Sequence, residues 1–135
     1  MADPIAEILA ATRRIAVVGA SARPERAGNY VFAFLVARGF DVVGVNPGLA
    51  GQPLHGRPVV ARLDQAEPLD MVDVFRAPDQ VGPLVDDAIR LGARTIWMQL
   101  GVINHAAAAA AEAAGLQVVM DRCPIIEWRR LQLPT

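Results

Sequence analysis

The chain has 135 residues, 53% of them hydrophobic and 20% charged, which suits one folded core and is too apolar for a disordered chain. Lys plus Arg number 13 against 14 Asp plus Glu, a net charge of -1, without the basic excess of a nucleic-acid binder. The longest apolar run, Tyr30 to Ala37, covers 8 residues, well short of the ~20 that span a bilayer. A single cysteine, Cys123, excludes an internal disulfide framework and a multi-cysteine metal site. Met1-Ala2-Asp3-Pro4 carries an acid and no long apolar stretch, unlike a signal peptide, so a soluble, cytoplasmic protein is expected.

The first helix is signalled by Asp3 as N-cap, Pro4 at the first helical position and apolar Ile5, Ile8 and Leu9, and should end near Thr12. Ile15 to Val18 is a short apolar run closed by Gly19, the pattern of a strand buried on both faces. Gly28 to Arg38 follows as a helix ended by Gly39. Phe40 to Val45 is the second strand, stopped by Asn46-Pro47-Gly48, and Leu49 to Pro58 reads as a loop. Leu63 to Ala66 fits one helical turn, and Met71 to Phe75 is the third strand. A turn at Pro78 to Val81 precedes a helix from Pro83 to Leu91, closed by Gly92. Thr95 to Met98 is the fourth strand, and Asn104 caps an alanine-rich helix that ends at Gly115. Val118 to Met120 is the fifth strand, and Cys123 to Leu131 a short terminal helix.

Strands thus alternate with helices about five times across short glycine-bearing connections. The expectation is a single domain over residues 1–135: an α/β, Rossmann-like, doubly wound parallel sheet of five strands, order 3-2-1-4-5, with helices on both faces and the N-terminal helix packed on it. In such a sheet, ligands bind beyond the carboxyl ends of the strands where the order reverses. Small residues at Gly19, Ala20 and Ser21 would let the backbone approach a phosphate, and the helix starting near Gly28 adds free N–H groups and the positive end of its dipole. Ser21 offers a hydroxyl, while Arg26 or Arg23 offers charge. An ordinary strand-to-helix turn would need none of this.

The ligand class follows from what is missing. A dinucleotide fingerprint needs G-x-G-x-x-G and an acid at the end of strand two, where this chain has one turn glycine and Asn46-Pro47. Asp41 stands at the wrong end of that strand, and no Gly-Lys-Ser/Thr occurs for a nucleotide P-loop. Phe75 could stack an aromatic base or simply close the core, and Arg76 could reach a phosphate. Arg57, His55 and His105 read as surface residues, Trp97 and Trp128 as packing residues, and Asp86-Asp87 as a solvated helix face. Cys123 beside Arg122 is either an inert thiol or one with a lowered pKa. No nucleophile, base and acid assemble into a catalytic set.

These segments resemble a known family. Gly19-Ala20-Ser21-x-x-Pro24-x-Arg26, Gly28-Asn29-Tyr30-Val31, Val45-Asn46-Pro47, Val74-Phe75-Arg76 and Trp97-Met98-Gln99-Leu100-Gly101 look like the small stand-alone CoA-binding proteins, themselves similar to the N-terminal domain of the succinyl-CoA synthetase alpha subunit. The likeness runs from about Ile15 to Leu131. It implies that coenzyme A lies in the cleft already located. Gly19, Ala20, Ser21 and Ala22 would cradle its pyrophosphate with Arg26 nearby, Asn46 and Pro47 would line the second wall, Phe75, Arg76 and Val81 would border the adenine and ribose-phosphate end, and Asn29 and Tyr30 are further expected cofactor-binding residues. Near the C-terminus the family's Asp-Arg-Cys stands as Asp121, Arg122 and Cys123, followed by Glu127, but Ile126 and Trp128 replace basic positions. Neither His55 nor His105 matches the synthetase's phosphorylated histidine, so the resemblance implies binding without catalysis.

The expected function is therefore non-catalytic binding of CoA or an acyl-CoA, as carrier, sensor or regulator. The alternatives are a subunit whose partner chain supplies catalytic groups, and an NAD or adenine-nucleotide sensor. Neither nucleic acid nor membrane is an expected partner. A homodimer would suit the helix from Gly28 to Arg38, which is apolar on most of its circumference, and so would deep burial.

Overall fold

The computed structural model describes residues 3–135, so Met1 and Ala2 of the leader reading lie outside the described residues. Six parallel strands form one sheet: β1 (Arg14–Val18), β2 (Asp41–Val45), β3 (Val59–Val60), β4 (Met71–Val74), β5 (Thr95–Met98) and β6 (Gln117–Val119), in the order β3-β2-β1-β4-β5-β6. Five helices surround it: α1 (Pro4–Ala11), α2 (Ala27–Ala37), α3 (Val81–Arg90), α4 (His105–Ala113) and α5 (Pro124–Arg130). The Rossmann-like class is as expected. No helix is long and apolar enough to cross a membrane among the described residues.

The pleat sorts the strand residues between two cores. Ala16, Val18, Val43, Val72, Val74, Ile96 and Met98 pack with Val81, Val85 and Ala88 of α3 and Ala107, Ala108 and Ala111 of α4. Ile15, Val17, Val42, Met71 and Trp97 face the other way, onto Ile8 and Leu9 of α1, Val31, Phe32 and Leu35 of α2, and Cys123 before α5. The alanine run therefore forms a thin helix face that sits close against α3 and the sheet. Asp3 caps α1 by accepting from the Ile5 N–H at 2.8 Å, and Asn104 caps α4 by accepting from the Ala107 N–H at 2.9 Å.

The strand count and edge differ from expectation. Val59–Val60, directly after the segment read as a loop, pairs with β2 through Gly44 N–H to Pro58 C=O at 3.0 Å and Asn46 N–H to Val60 C=O at 2.9 Å. Two residues carry no periodicity, so this strand exists because β2 leaves a ladder of unpaired groups at its edge. It takes the outer place the sequence reading gave to Met71–Phe75. Met71–Val74, buried along its whole length, instead pairs directly with β1, Val18 opposite Val74. The reversal of order falls between β1 and β4.

Candidate functional site

The chain leaves β1 through Gly19, whose φ is +95° and whose N–H donates to Val45 C=O at 3.0 Å. A Cβ here would stand 2.5 Å from the Phe75 carbonyl oxygen, so the end of β1 can lie this close to the end of β4 only without a side chain. Gly28, in the first turn of α2, lies against the Gly19 carbonyl with no room for a Cβ. Two amides then hold the turn: Asn46 Nδ2 donates to Ala20 C=O at 2.8 Å and Asn29 Nδ2 to Ser21 C=O at 2.8 Å. With those carbonyls engaged, the N–H groups of Ala20, Ser21, Ala22, Ala27 and Gly28 have no acceptor among the described residues.

A cleft of about 450 Å3 opens over this turn. Gly19, Ala20, Ser21, Arg26 and Asn46 form one side, and Phe75, Arg76, Gln99 and Leu100 the other. No carboxylate lines it. Arg26 and Arg76 have no acidic partner among the described residues, whereas Arg23 is paired with Glu25, Arg62 with Asp64 and Arg90 with Asp87. Free N–H groups, a helix N-terminus and two uncommitted guanidiniums converge on one volume, which is the electrostatics of an anion site. Asp73, two residues before Phe75, does not oppose it. It sits between Val17 and Trp97 in the sheet, wholly buried, and desolvation pushes its carboxyl well above the ordinary 3.8 toward the neutral acid.

Two further clefts adjoin the first through shared residues. One of about 380 Å3 shares Arg76 and is walled by Val18, Pro47, Leu63, Gln80 and Leu84. The other, of about 500 Å3, shares Ala27, Gln99 and Leu100 and is walled by Tyr30, Cys123 and Ile125. The three form a groove along the carboxyl edge of the sheet: the end toward Pro47 also carries the Arg62–Asp64 and Arg90–Asp87 pairs, and the end toward Tyr30 is apolar apart from Gln99 and Arg129.

Residues 13–129 match the model of the CoA binding domain. The chain belongs to the CoA-binding domain family. The uncharacterized protein YneT of Bacillus subtilis (strain 168) is 33% identical over 120 residues, 88% of this chain and 87% of that one. A solved Thermus thermophilus structure superposes at TM-score 0.88 with 36% identity, covering 94% of this chain and 96% of that chain. A hypothetical protein from Pyrococcus horikoshii OT3 does so at 0.88 with 37% identity, covering 95% and 89%. For this CoA-binding domain the groove can be tested against the coenzyme. The unpaired N–H groups and arginines suit its phosphates, and Asn46, bonded to Ala20 C=O and to the Gly48 N–H, stands where a dinucleotide site needs an acid. The residues fit.

Of the positions marked in the sequence, Gly19, Ala20, Ser21, Arg26, Asn46, Phe75 and Arg76 meet at the central cleft. Pro47 and Tyr30 line its two extensions. Ala22 is exposed in the turn, and Asn29 is buried, positioning the loop and also meeting His55 Nε2 at 3.0 Å. Val81 requires correction: it is fully buried in the core beside α4, and Gln80 and Leu84 take its place at the cleft wall. Arg57, read as solvated, instead donates to Val42 C=O at 2.8 Å and pairs with Asp41, clipping the loop to β2. Gln99 was missed. It follows the strand next to the reversal, and that position was the available signal.

Proposed function

We propose that this chain holds coenzyme A, free or as a short acyl thioester, along the carboxyl edge of its sheet and does not transform it. The observation that carries the reading is the central cleft, with two uncommitted arginines, unpaired backbone N–H groups and no carboxylate. The pyrophosphate lies over Ala20, Ser21 and the start of α2, the adenine and 3′-phosphate end runs past Arg76 toward Pro47, and the pantetheine arm runs past Gln99 toward Tyr30. A carrier, sensor or regulator of the CoA pool in the cytoplasm suits this arrangement, since a reducing compartment keeps the lone thiol free.

Titration calorimetry tests it. CoA should bind in the micromolar range and NAD far more weakly. Arg26→Ala or Arg76→Ala should each remove about 1.5–3 kcal/mol, roughly ten- to hundredfold in affinity. Equal affinity for NAD overturns the assignment in favour of a nucleotide sensor. A second reading, catalysis completed by a partner chain or a second copy, draws on half-exposed Tyr30, Leu100 and Ile126 clustered at the apolar end of the groove. Turnover of acyl-CoA substrates by the isolated chain overturns the non-catalytic reading, and turnover only with an added partner supports the second.

A further inference from the structure

Resting on the CoA reading above, we propose that Cys123 captures the coenzyme covalently, by thiol–disulfide exchange at the apolar end of the groove. Cys123 is the chain's single cysteine and only 5% exposed, yet its residue lines the 500 Å3 cleft that adjoins the phosphate site. A second, independent feature points to an occupant there. Gln99, also 5% exposed, lines both this cleft and the central one, and its Oε1 has no donor among the described residues. A buried amide oxygen left without a donor costs about 1–3 kcal/mol, which a ligand N–H relieves. The pantetheine arm carries two amide N–H groups between the phosphates and the sulfur. With phosphates over the Gly19 turn and an amide N–H on Gln99, the arm enters the cleft that contains Cys123, and its terminal sulfur meets the thiol.

The step uses a disulfide of the coenzyme, symmetric or mixed with another small thiol, as its co-reactant. Cys123 loses its proton to solvent, and the thiolate Sγ attacks the CoA-side sulfur. The Sγ–S bond forms as the old S–S bond breaks, and the departing thiolate takes up a proton. One disulfide is exchanged for another with no net oxidation, and any excess small thiol reverses it. The groove thereby distinguishes oxidised from reduced coenzyme, loading under oxidation and releasing when thiols recover.

Intact-mass spectrometry of the reduced, full-length chain mixed with CoA disulfide tests this. The expected result is one CoA per chain, removed by dithiothreitol, forming at least about tenfold faster than a glutathione adduct from glutathione disulfide at equal concentration, because the site pre-positions the sulfur. Desulfo-CoA, which lacks the sulfur, should slow the reaction by occupying the groove. Gln99→Leu should slow CoA loading by a larger factor than it changes the glutathione reaction. Absence of the CoA adduct, equal rates for glutathione disulfide, or indifference to desulfo-CoA overturns the proposal. Calorimetry of reduced CoA with reductant present separates the two ideas. Binding without an adduct removes only the capture step, whereas no binding removes the CoA reading itself. All decisive outcomes are read on the natural chain, so none depends on a Cys123 variant folding.

Discussion

Gly19 meets two demands at one position: a left-handed backbone and contact with the Phe75 carbonyl. Gly19→Ala should therefore lower stability by about 1–3 kcal/mol and weaken CoA binding, as thermal unfolding and calorimetry would report. The buried Asp73 carboxyl, with both oxygens unpartnered, makes the opposite kind of prediction, one of pH. Its folded-state pKa is raised, so the protonated acid is the form that the fold accepts. Its stability contribution is complete below the ordinary 3.8 and falls as pH climbs from there through the raised value. Asp73→Asn should remove that decline, visible as a flatter dependence of urea midpoint on pH. Asp70 acts in the reverse sense. The backbone N–H of Arg14, then that of Arg13, holds its carboxyl below 3.8, so its contribution is present above that value and is lost as pH falls toward the lowered one. In the same urea series, Asp70→Asn should lose stability near neutrality and converge on the natural chain in acid.

At the scale of elements, the two chain ends are clasped through α5. Glu127, 4% exposed, accepts from Arg130 at 2.8 Å and Arg122 at 3.2 Å, and Arg130 reaches on to Asp3 at the cap of α1. Removing the buried acid leaves two cations facing each other, whereas removing one half-exposed arginine leaves the other in place. Glu127→Ala should cost about 1–3 kcal/mol and Arg122→Ala under about 1 kcal/mol in denaturant unfolding. The loop after β5 is fixed to the end of β6 as well, through the Gly101 N–H and Asp121 Oδ1 at 2.7 Å. That contact helps to set where Gln99 and Leu100 stand in the groove. Helices and strands with caps or long apolar runs were legible in the sequence: Asp3, Asn104 and Gly39 mark their ends, and Ile15–Val18 and Thr95–Met98 mark their strands. Val59–Val60 was not, because its pairing comes from the open edge of β2 and not from its own two residues.

At the scale of the whole molecule, a net charge of -1 conceals an uneven pairing of its arginines. Seven of the 13 arginines sit in ion pairs, as at Arg14, Arg57 and Arg130, while Arg26 and Arg76 at the centre of the groove and Arg129 at one end have no acidic partner among the described residues. Binding should accordingly be salt-sensitive: raising ionic strength from about 0.05 to 0.5 M should weaken CoA severalfold, because these half-exposed charges are screened over a Debye length of about 4–14 Å in that range. Affinity indifferent to salt would mean that the arginines do not carry the interaction. Asn46 contributes by what it is not. A carboxylate there would face the phosphates, while the amide ties Ala20 in place and brings no charge.

The sequence by itself determined the class of fold, the turn after β1 and the absence of a ribose-gripping acid. Each of these depends on neighbours in the chain: apolar runs, a glycine at a strand end, an amide at a fixed position. Tertiary structure alone decided which arginines are free, since Arg57 and Arg26 look alike until Asp41 and Val42 are brought beside one of them. It likewise decided that Val81 faces the core, that Asp73 is sealed in the sheet, and that Gln99 and Cys123 share a cleft. Pairing, burial and cavity shape are sums over residues distant in sequence, so no local pattern records them.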